Sequence, residues 1–457
     1  MKVLYNIGIH AMSAGARLAA LRNDKLRRMI DGHAETLDRL HHARATVAPD
    51  GFDLWVHAAS LGEFEQARPV IEAYRKARPQ AKVLLSFFSP SGYCVRHNYD
   101  GADCVVYLSF DTPRNVRQFL DAAQPKCAVF VKYEFWSNYL HEIAKRHIPL
   151  YLISAIFRPG QRFFKPWGAF SRDVLRTYTH IFVQDRESLD LLASVGITNV
   201  TVAGDTRFDR VAQVAEDSRP IPELARWLHG DDGQGQPVFT LVVGSSWPQD
   251  EACYIPWLNE HPEVKAIVAP HEFDDKRLKT LVDSFAAKAV LWSQVLAKGR
   301  GPEPSTPKPD NANPASSPAN SSTNPAVPDN NSATPSIPDD AQVVIIDCFG
   351  LLSRIYRYGD AAIIGGGLGT GIHNINEAAV YGIPVAFGPN NGKFREAAAL
   401  IADNAAFEYH DRAECSTILT RWLTDPAGRR HQGANAAAYI STNRGATSLI
   451  MHTLLPD

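Results

Sequence analysis

The loop Gly365-Gly366-Gly367-Leu368-Gly369-Thr370-Gly371-Ile372-His373-Asn374, running into Asn376-Glu377-Ala378-Ala379, carries the strongest chemical signal in this chain. A short apolar strand, Ala361 to Ile364, enters it, and a helix predicted to begin near Asn374 leaves it. Glycines let backbone amides approach a ligand closely, and a helix N-terminus directs positive charge at the same place. The pattern reads as a seat for a phosphate formed around Gly366 and Gly367, with Glu377 one turn into the helix to hold a ribose hydroxyl. No G-x-G-x-x-G fits these glycines. Gly388 to Lys393 falls one residue short of a P-loop, with Phe394 where Ser or Thr should follow. A glycine-rich turn without a ligand is the bland alternative.

Other loops could also do chemistry. In His57-Ala58-Ala59-Ser60-Leu61-Gly62-Glu63, Ser60 and Glu63 match a capping box, whose side chains satisfy free amides of a first helical turn. The other reading makes Glu63 a carboxylate that takes a proton from an attacking hydroxyl, with Gly62 letting a substrate come close. Glu134, between aromatics in Lys132-Tyr133-Glu134-Phe135-Trp136, is costly to bury unpaired. It needs a partner, Lys132 or an arginine, or it faces a ligand. Arg207 in Gly204-Asp205-Thr206-Arg207 is fit to neutralise a phosphate or carboxylate, or to form a salt bridge at a domain edge. Ser245 and Ser246, Pro270 and His271, and Phe349-Gly350-Leu351 each follow a predicted strand. They offer hydroxyls, an imidazole and free backbone to a phosphate or a base. Ser86-Phe87-Phe88-Ser89-Pro90-Ser91-Gly92 reads as a phosphate or sugar contact, or as a plain turn.

The elements that must position these loops alternate between strand and helix. Predicted strands are Leu54 to His57, Val83 to Phe87, Cys104 to Leu108, Cys127 to Val131, Leu150 to Ser154, Ile181 to Gln184 and Val200 to Ala203. After a polar stretch from Asp205 to Pro237 come Phe239 to Val243, Ala266 to Ala269, Ala289 to Trp292, Val343 to Ile346, Ala361 to Ile364 and Val385 to Phe387. Phe64 to Arg78 and Arg186 to Val195 read as helices between them. Runs apolar on both faces imply parallel sheets covered by helices. The expected fold is α/β, two doubly wound Rossmann-like domains facing a central cleft, with ligands beyond the carboxyl ends of the strands. The expected bounds are 31–215 and 236–435, with a disordered insertion at 298–340 that is too polar to bury a core. Residues 436–457 read as a C-terminal helix packing back on the first domain.

Bulk properties narrow the class. At 457 residues the chain exceeds one ordinary core, and a formal net charge of -2 argues against nucleic acid as a partner. Its six cysteines form no C-x-x-C pair, and no metal-binding motif occurs, so neither a disulfide framework nor a metal is expected. No apolar run reaches the roughly 18 residues of a membrane span, and no cleavable signal is evident. In residues 1–30, Leu4, Ile7, Ala11, Ala14, Leu18 and Leu21 share one helical face, flanked by Arg17, Arg22, Lys25, Arg27 and Arg28. That pattern suits a helix lying on an anionic membrane surface, or one packed on the protein's own core.

These motifs, in this order, resemble the 3-deoxy-D-manno-octulosonic acid (Kdo) transferases of lipopolysaccharide synthesis. The resemblance rests on His57-Ala58-x-Ser60-x-Gly62-Glu63, Glu134-Phe135-Trp136-x-Asn138, Gly204-x-x-Arg207-Phe208-Asp209, Gly365-Gly366-Gly367 with His373-Asn374-x-x-Glu377, Ile383-Pro384-Val385 and Gly388-Pro389. It implies a GT-B fold and metal-independent, inverting transfer of Kdo from CMP-Kdo to a lipid A precursor at the cytoplasmic face of the bacterial inner membrane. CMP-Kdo would be a co-substrate, with no cofactor. Glu63 matches the family's catalytic base, and Glu134 and Arg207 match positions supporting the transition state. Pro270, His271, Phe349, Gly350, Leu351, Asn374 and Glu377 match CMP-contacting positions. Arg207 stands where many members carry lysine, His271 where many carry arginine, and Lys132 where an acid is common. The rival readings are another GT-B sugar-nucleotide transferase, a UDP-sugar 2-epimerase, or a non-catalytic nucleotide-sugar-binding protein.

Overall fold

The computed structural model describes residues 1–229, 238–298 and 336–455. Most of the expected insertion lies outside the described residues. At its end Ile337 is buried and Asp340 pairs with Lys288 at 2.7 Å, so the chain has rejoined the fold before the expected boundary. The protein divides into two compact units. The first comprises Met1–Arg210 and the chain from Asn443 onward; the second comprises the described residues between Val211 and Thr442.

Each unit is built on a seven-stranded parallel sheet. In the first, β1 (Leu54–Ala58), β2 (Val83–Phe87), β3 (Cys104–Tyr107), β4 (Ala128–Val131), β5 (Leu150–Ala155), β6 (His180–Val183) and β7 (Val200–Val202) lie in the order β3-β2-β1-β4-β5-β6-β7. In the second, β8 (Thr240–Ser246), β9 (Lys265–Pro270), β10 (Ala289–Leu291), β11 (Val343–Ile345), β12 (Ala361–Ile364), β13 (Val385–Phe387) and β14 (Ala406–Glu408) run β10-β11-β9-β8-β12-β13-β14. Every residue of β1, β2, β4 and β8 is buried, as expected for strands covered on both faces by helices. Fully burying one such Val, Leu or Phe contributes about 1.5–3 kcal/mol. The order reverses between β1 and β4, and between β8 and β12. At those switch points the loops leaving the carboxyl ends diverge and open a crevice.

Three differences from the sequence reading matter. Strand β14 was not anticipated; it is three residues at a sheet edge, with only Ala406 buried. Trp292 opens a helix rather than ending β10. The N-terminus forms two helices, α1 (Lys2–Ala20) and α2 (Asp24–Thr46), because the Asn23 side chain accepts from the amides of Lys25 and Leu26 and starts a second helix. Arg22 therefore lies in the turn, and Lys25, Arg27 and Arg28 lie at the start of α2.

Helix α1 buries Ile9, Ser13 and Ala20, while Leu4, Ile7, Leu18 and Leu21 are 60–78% exposed. The apolar stripe thus faces outward and does not pack on the core. The helix is tethered by its other face. The Tyr5 hydroxyl donates to Asp111 Oδ2 at 2.5 Å and accepts from the Ser137 amide at 3.2 Å, and Asn138 donates to Asn6 at 2.8 Å.

In the second unit, strand-end loops cross at glycines. A Cβ on Gly365 would stand 2.2 Å from the Ser245 carbonyl oxygen, and one on Gly367 would stand 2.5 Å from the Gly388 amide. Gly367→Ala sets backbone against backbone and should destabilise the protein by about 1–3 kcal/mol. Gly369→Ala, whose Cβ meets nothing closer than 4.0 Å, should cost no more than the ~0.5 kcal/mol of an ordinary surface change. Urea unfolding of the two variants checks the contrast.

Candidate active site

The β1/β4 switch point assembles a buried carboxylate site. Ser60 caps α3 (Leu61–Ala77): its hydroxyl accepts from the Glu63 amide at 3.4 Å, and Glu63 Oε2 accepts from the Ala59 amide at 2.6 Å. The capping geometry is therefore real. It does not exhaust Glu63, whose carboxyl is pushed up to about 7, first by burial and then by repulsion from Glu134. The Ala59 amide, His57 and Lys132 oppose the rise. A Cβ added at Gly62 would meet nothing within 4 Å, so the backbone beside Glu63 is open.

Glu134 is buried, and it has hydrogen-bond partners that the sequence reading did not name. It accepts from His57 Nε2 at 2.9 Å and from the Trp136 indole, and its carbonyl accepts from the Tyr178 hydroxyl at 2.6 Å. His57 is oriented from behind. Ser86 Oγ accepts from Trp55 Nε1 at 2.8 Å and lies 2.9 Å from His57 Nδ1. Nδ1 also lies 3.1 Å from the Ser86 carbonyl oxygen, so the two Ser86 oxygens together fix the ring with Nε2 turned toward Glu134. The sequence reading did not link His57, Ser86 and Trp55 to Glu134. They are neighbours across the sheet, His57 pairing with Ser86 in the β1–β2 register, so linear spacing carries no signal of it. Lys132 adopts φ +65°, a left-handed conformation uncommon for a side chain with a Cβ, where β4 turns toward Glu134.

Arg207 engages Asp205, with Nε and Nη2 each 2.9 Å from Oδ2. Asp205 is buried and also accepts from Gln66 at 3.0 Å. Gln66 lies on α3, one turn beyond Glu63, so Arg207 is held to the helix that carries the base candidate. The ion-pair reading of Arg207 is realised, and through α3 it is linked to the carboxylate site.

In the second unit the loops after β8, β9 and β12 form an aromatic cluster. Trp247 stacks on His271 with centroids 4.3 Å apart, His373 lies 4.8 Å from His271, and Trp247 Nε1 faces His373 Nε2 at 3.5 Å. Burial, and then His271, lower the His373 pKa, which suits it to accept from the indole. Pro270 is buried at the end of β9. The buried Asp250 carboxylate ties the loops together, accepting from the amides of Trp247 at 3.0 Å and Gly366 at 2.8 Å. Trp247 and Asp250 were not among the predicted site residues.

Three phosphate-seat expectations need correction. The Gly366 amide is taken by Asp250 and the Gly365 amide by the Gly244 carbonyl at 2.9 Å, so these glycines act here through close packing. The helix after the loop begins at Asn376 and is four residues long, too short for a strong dipole. Ser246 is turned inward, bonded to Glu251 at 2.9 Å and Tyr254 at 3.0 Å, because β8 shifts register there. Ser245, at φ +53°, takes up that shift. Asn374 donates to Glu377 at 3.0 Å. Phe349 is 81% exposed and packs edge-on against Phe273 at 4.7 Å, with Gly350 at φ +90° and Leu351 leading into the next helix. Among the described residues, no group of three or more His, Cys, Asp or Glu could hold a metal ion.

Residues 27–210 match the model of the family described as 3-Deoxy-D-manno-octulosonic-acid transferase (kdotransferase). The chain is 26% identical over 427 residues to the 3-deoxy-D-manno-octulosonic acid transferase of Bordetella pertussis, covering 89% of this chain and 88% of that protein. It is 22% identical over 380 residues to the protein of the same name from Aquifex aeolicus, covering 81% and 86%. Among solved structures, UDP-GlcNAc 2-epimerase from Neisseria meningitidis bound to UDP-GlcNAc is similar in fold, with a TM-score of 0.56 and 13% identity over 88% of this chain and 99% of that one.

The raised Glu63 pKa has a signed consequence for stability. Between the usual 4.5 and about 7 the native protein keeps a proton that the unfolded chain has released, so stability falls as pH rises through that window. Glu63→Gln keeps an acceptor for Ala59 and removes the penalty. Its melting temperature relative to the parent should climb between pH 5 and pH 8; a pH-independent difference in thermal melts would contradict the assignment.

Proposed function

We propose that this chain, a member of the Kdo transferase family, is an inverting glycosyltransferase that moves Kdo from CMP-Kdo to a hydroxyl of a lipid A precursor in lipopolysaccharide synthesis. The observation that carries the reading is the Glu63–Glu134–His57 arrangement at the β1/β4 switch point. Glu63 Oε2 holds the Ala59 amide, leaving Oε1 to take the acceptor's proton. A base whose pKa lies near neutrality is ionised often enough to act and basic enough to be useful. The acceptor oxygen attacks the anomeric carbon, the bond to the phosphate breaks, and CMP leaves with the electron pair. Glu134, held by His57 and Trp136, and Arg207 support the transition state. The reaction as proposed uses no metal ion.

The second unit is assigned the nucleotide. Exposed Phe349 offers a face for the base, and Glu377, steadied by Asn374, suits the ribose hydroxyls. The Trp247–His271–His373 cluster and the loop containing Gly366 and Gly367 would line the phosphate and sugar. We further assign the outward apolar face of α1, with the basic residues around its end, to the anionic cytoplasmic face of the inner membrane. Among the described residues no helix is long and apolar enough to cross a membrane, so the contact would be interfacial.

The deciding assay combines purified protein, freshly generated CMP-Kdo, tetraacylated lipid A precursor and EDTA, with products read by mass spectrometry. Glu63→Gln should lower kcat by at least ~100-fold, the low end for losing a general base, with CMP affinity little changed. Full turnover would remove Glu63 from the base role. Epimerisation of UDP-GlcNAc without use of CMP-Kdo would favour the epimerase reading. A second outcome concerns α1: replacing exposed Leu18 and Leu21 with serine should weaken binding to anionic vesicles in sedimentation and leave CMP affinity unchanged.

A further inference from the structure

The first unit contains a pocket of about 360 Å³ enclosed by α1, α2, the end of β3 and the helix Pro113–Ala123, within the range of small-molecule sites at roughly 300–1,000 Å³. Its apolar wall is Ile30, Leu37 and Phe110, and its rim carries Arg17, Asn115 and Gln118. This division between apolar depth and polar, cationic rim fits an anionic amphiphile better than a sugar or a nucleotide.

One wall residue is unusual. His33 lies among Phe88, Tyr107 and Phe110, with centroids 5.8, 5.2 and 5.0 Å away. Neither ring nitrogen has a hydrogen-bond partner of acceptable geometry among the described residues, although the Phe88 backbone is close enough to be felt. Burial lowers its pKa to about 4, so the imidazole is neutral and offers one donor and one acceptor. Both nitrogens are sealed from solvent among these rings, so His33 serves the pocket as part of its apolar wall.

The pocket is also connected to the carboxylate site. Phe88 lies 4.8 Å from Trp136, whose indole donates to Glu134. Leu18 and Leu21, beside Arg17 on α1, stay exposed, so the rim continues into the outward apolar face. We propose that this pocket seats one acyl chain of the acceptor lipid, with Arg17 at the rim facing the lipid's first anionic group. The inference rests on the acceptor being acylated, as in the proposed function.

The test uses dodecyl phosphate as the probe and the full chain as the protein, with binding measured by calorimetry without donor or transfer. The parent should bind it, and inorganic phosphate should not compete. Ala34 and Gln118 line the pocket with exposed side chains. Ala34→Trp and, independently, Gln118→Trp should obstruct the pocket without disturbing the core. Each should weaken binding at least ~10-fold, about 1.4 kcal/mol, whereas Ala34→Ser should retain it. Both tryptophan variants should raise KM for the acylated acceptor, with vesicle binding unchanged. Undiminished dodecyl phosphate affinity in both tryptophan variants would overturn the proposal, as would a loss that only follows vesicle binding. Because the titration needs no CMP-Kdo, the seat can fail while Kdo transfer stands, and the reverse.

Discussion

Two carboxylates brought close together away from water cannot both be comfortably ionised, and this constraint organises the first unit. The structure resolves it unequally. Glu134 receives two side-chain donors, His57 Nε2 and the Trp136 indole, whereas Glu63 receives one backbone amide. Glu63, the less well served, takes the penalty as a raised proton affinity. That division depends on a buried line of hydrogen bonds running from Trp55 through Ser86 to His57, assembled from two adjacent strands. A parallel sheet places these groups side by side with the rigidity that an exposed loop lacks. The switch point then supplies the opening into which the carboxylates project.

The second unit meets a different constraint, the crowding of backbones. Where the loops after β8, β12 and β13 converge, glycines at 365, 367 and 388 have no room for a Cβ. Asp250 then fastens two of the loops through the amides of Trp247 and Gly366. The outcome is a compact floor from which Trp247, His271 and His373 rise as one stacked group. The first unit thus tunes a proton, while the second shapes a surface.

Much of this was legible in the sequence because strand ends announce themselves. Apolar runs followed by Gly, Ser and charged residues located thirteen of the fourteen strands among the described residues, and with them the loops that carry the candidate residues. The three-residue β14 was missed because so short an edge strand leaves little pattern. What could not be read was lateral pairing. Glu134 was expected to need a partner, but choosing His57, 77 positions away, requires knowing that β1 and β4 are neighbours. The glycine loop was legible as a place of close approach, yet the sequence did not say whether the approaching group was a ligand or the protein's own backbone. Helix α1 was legible as amphipathic, but which face looked outward was decided by Tyr5, Asn6 and Ile9 packing on the opposite side.

Tyr5 has a consequence reaching beyond its own helix. Its hydroxyl binds Asp111 and the first amide of the helix Ser137–Lys145, and Asp111 itself accepts from the amides of Asn138 and Tyr139. That helix starts directly after Trp136, the clamp on Glu134. The N-terminal segment is therefore a brace for the loop that holds Glu134 as well as a greasy exterior. Trimming it to improve solubility would slacken the support of that loop, so an inactive shortened preparation would say nothing about the need for a bilayer.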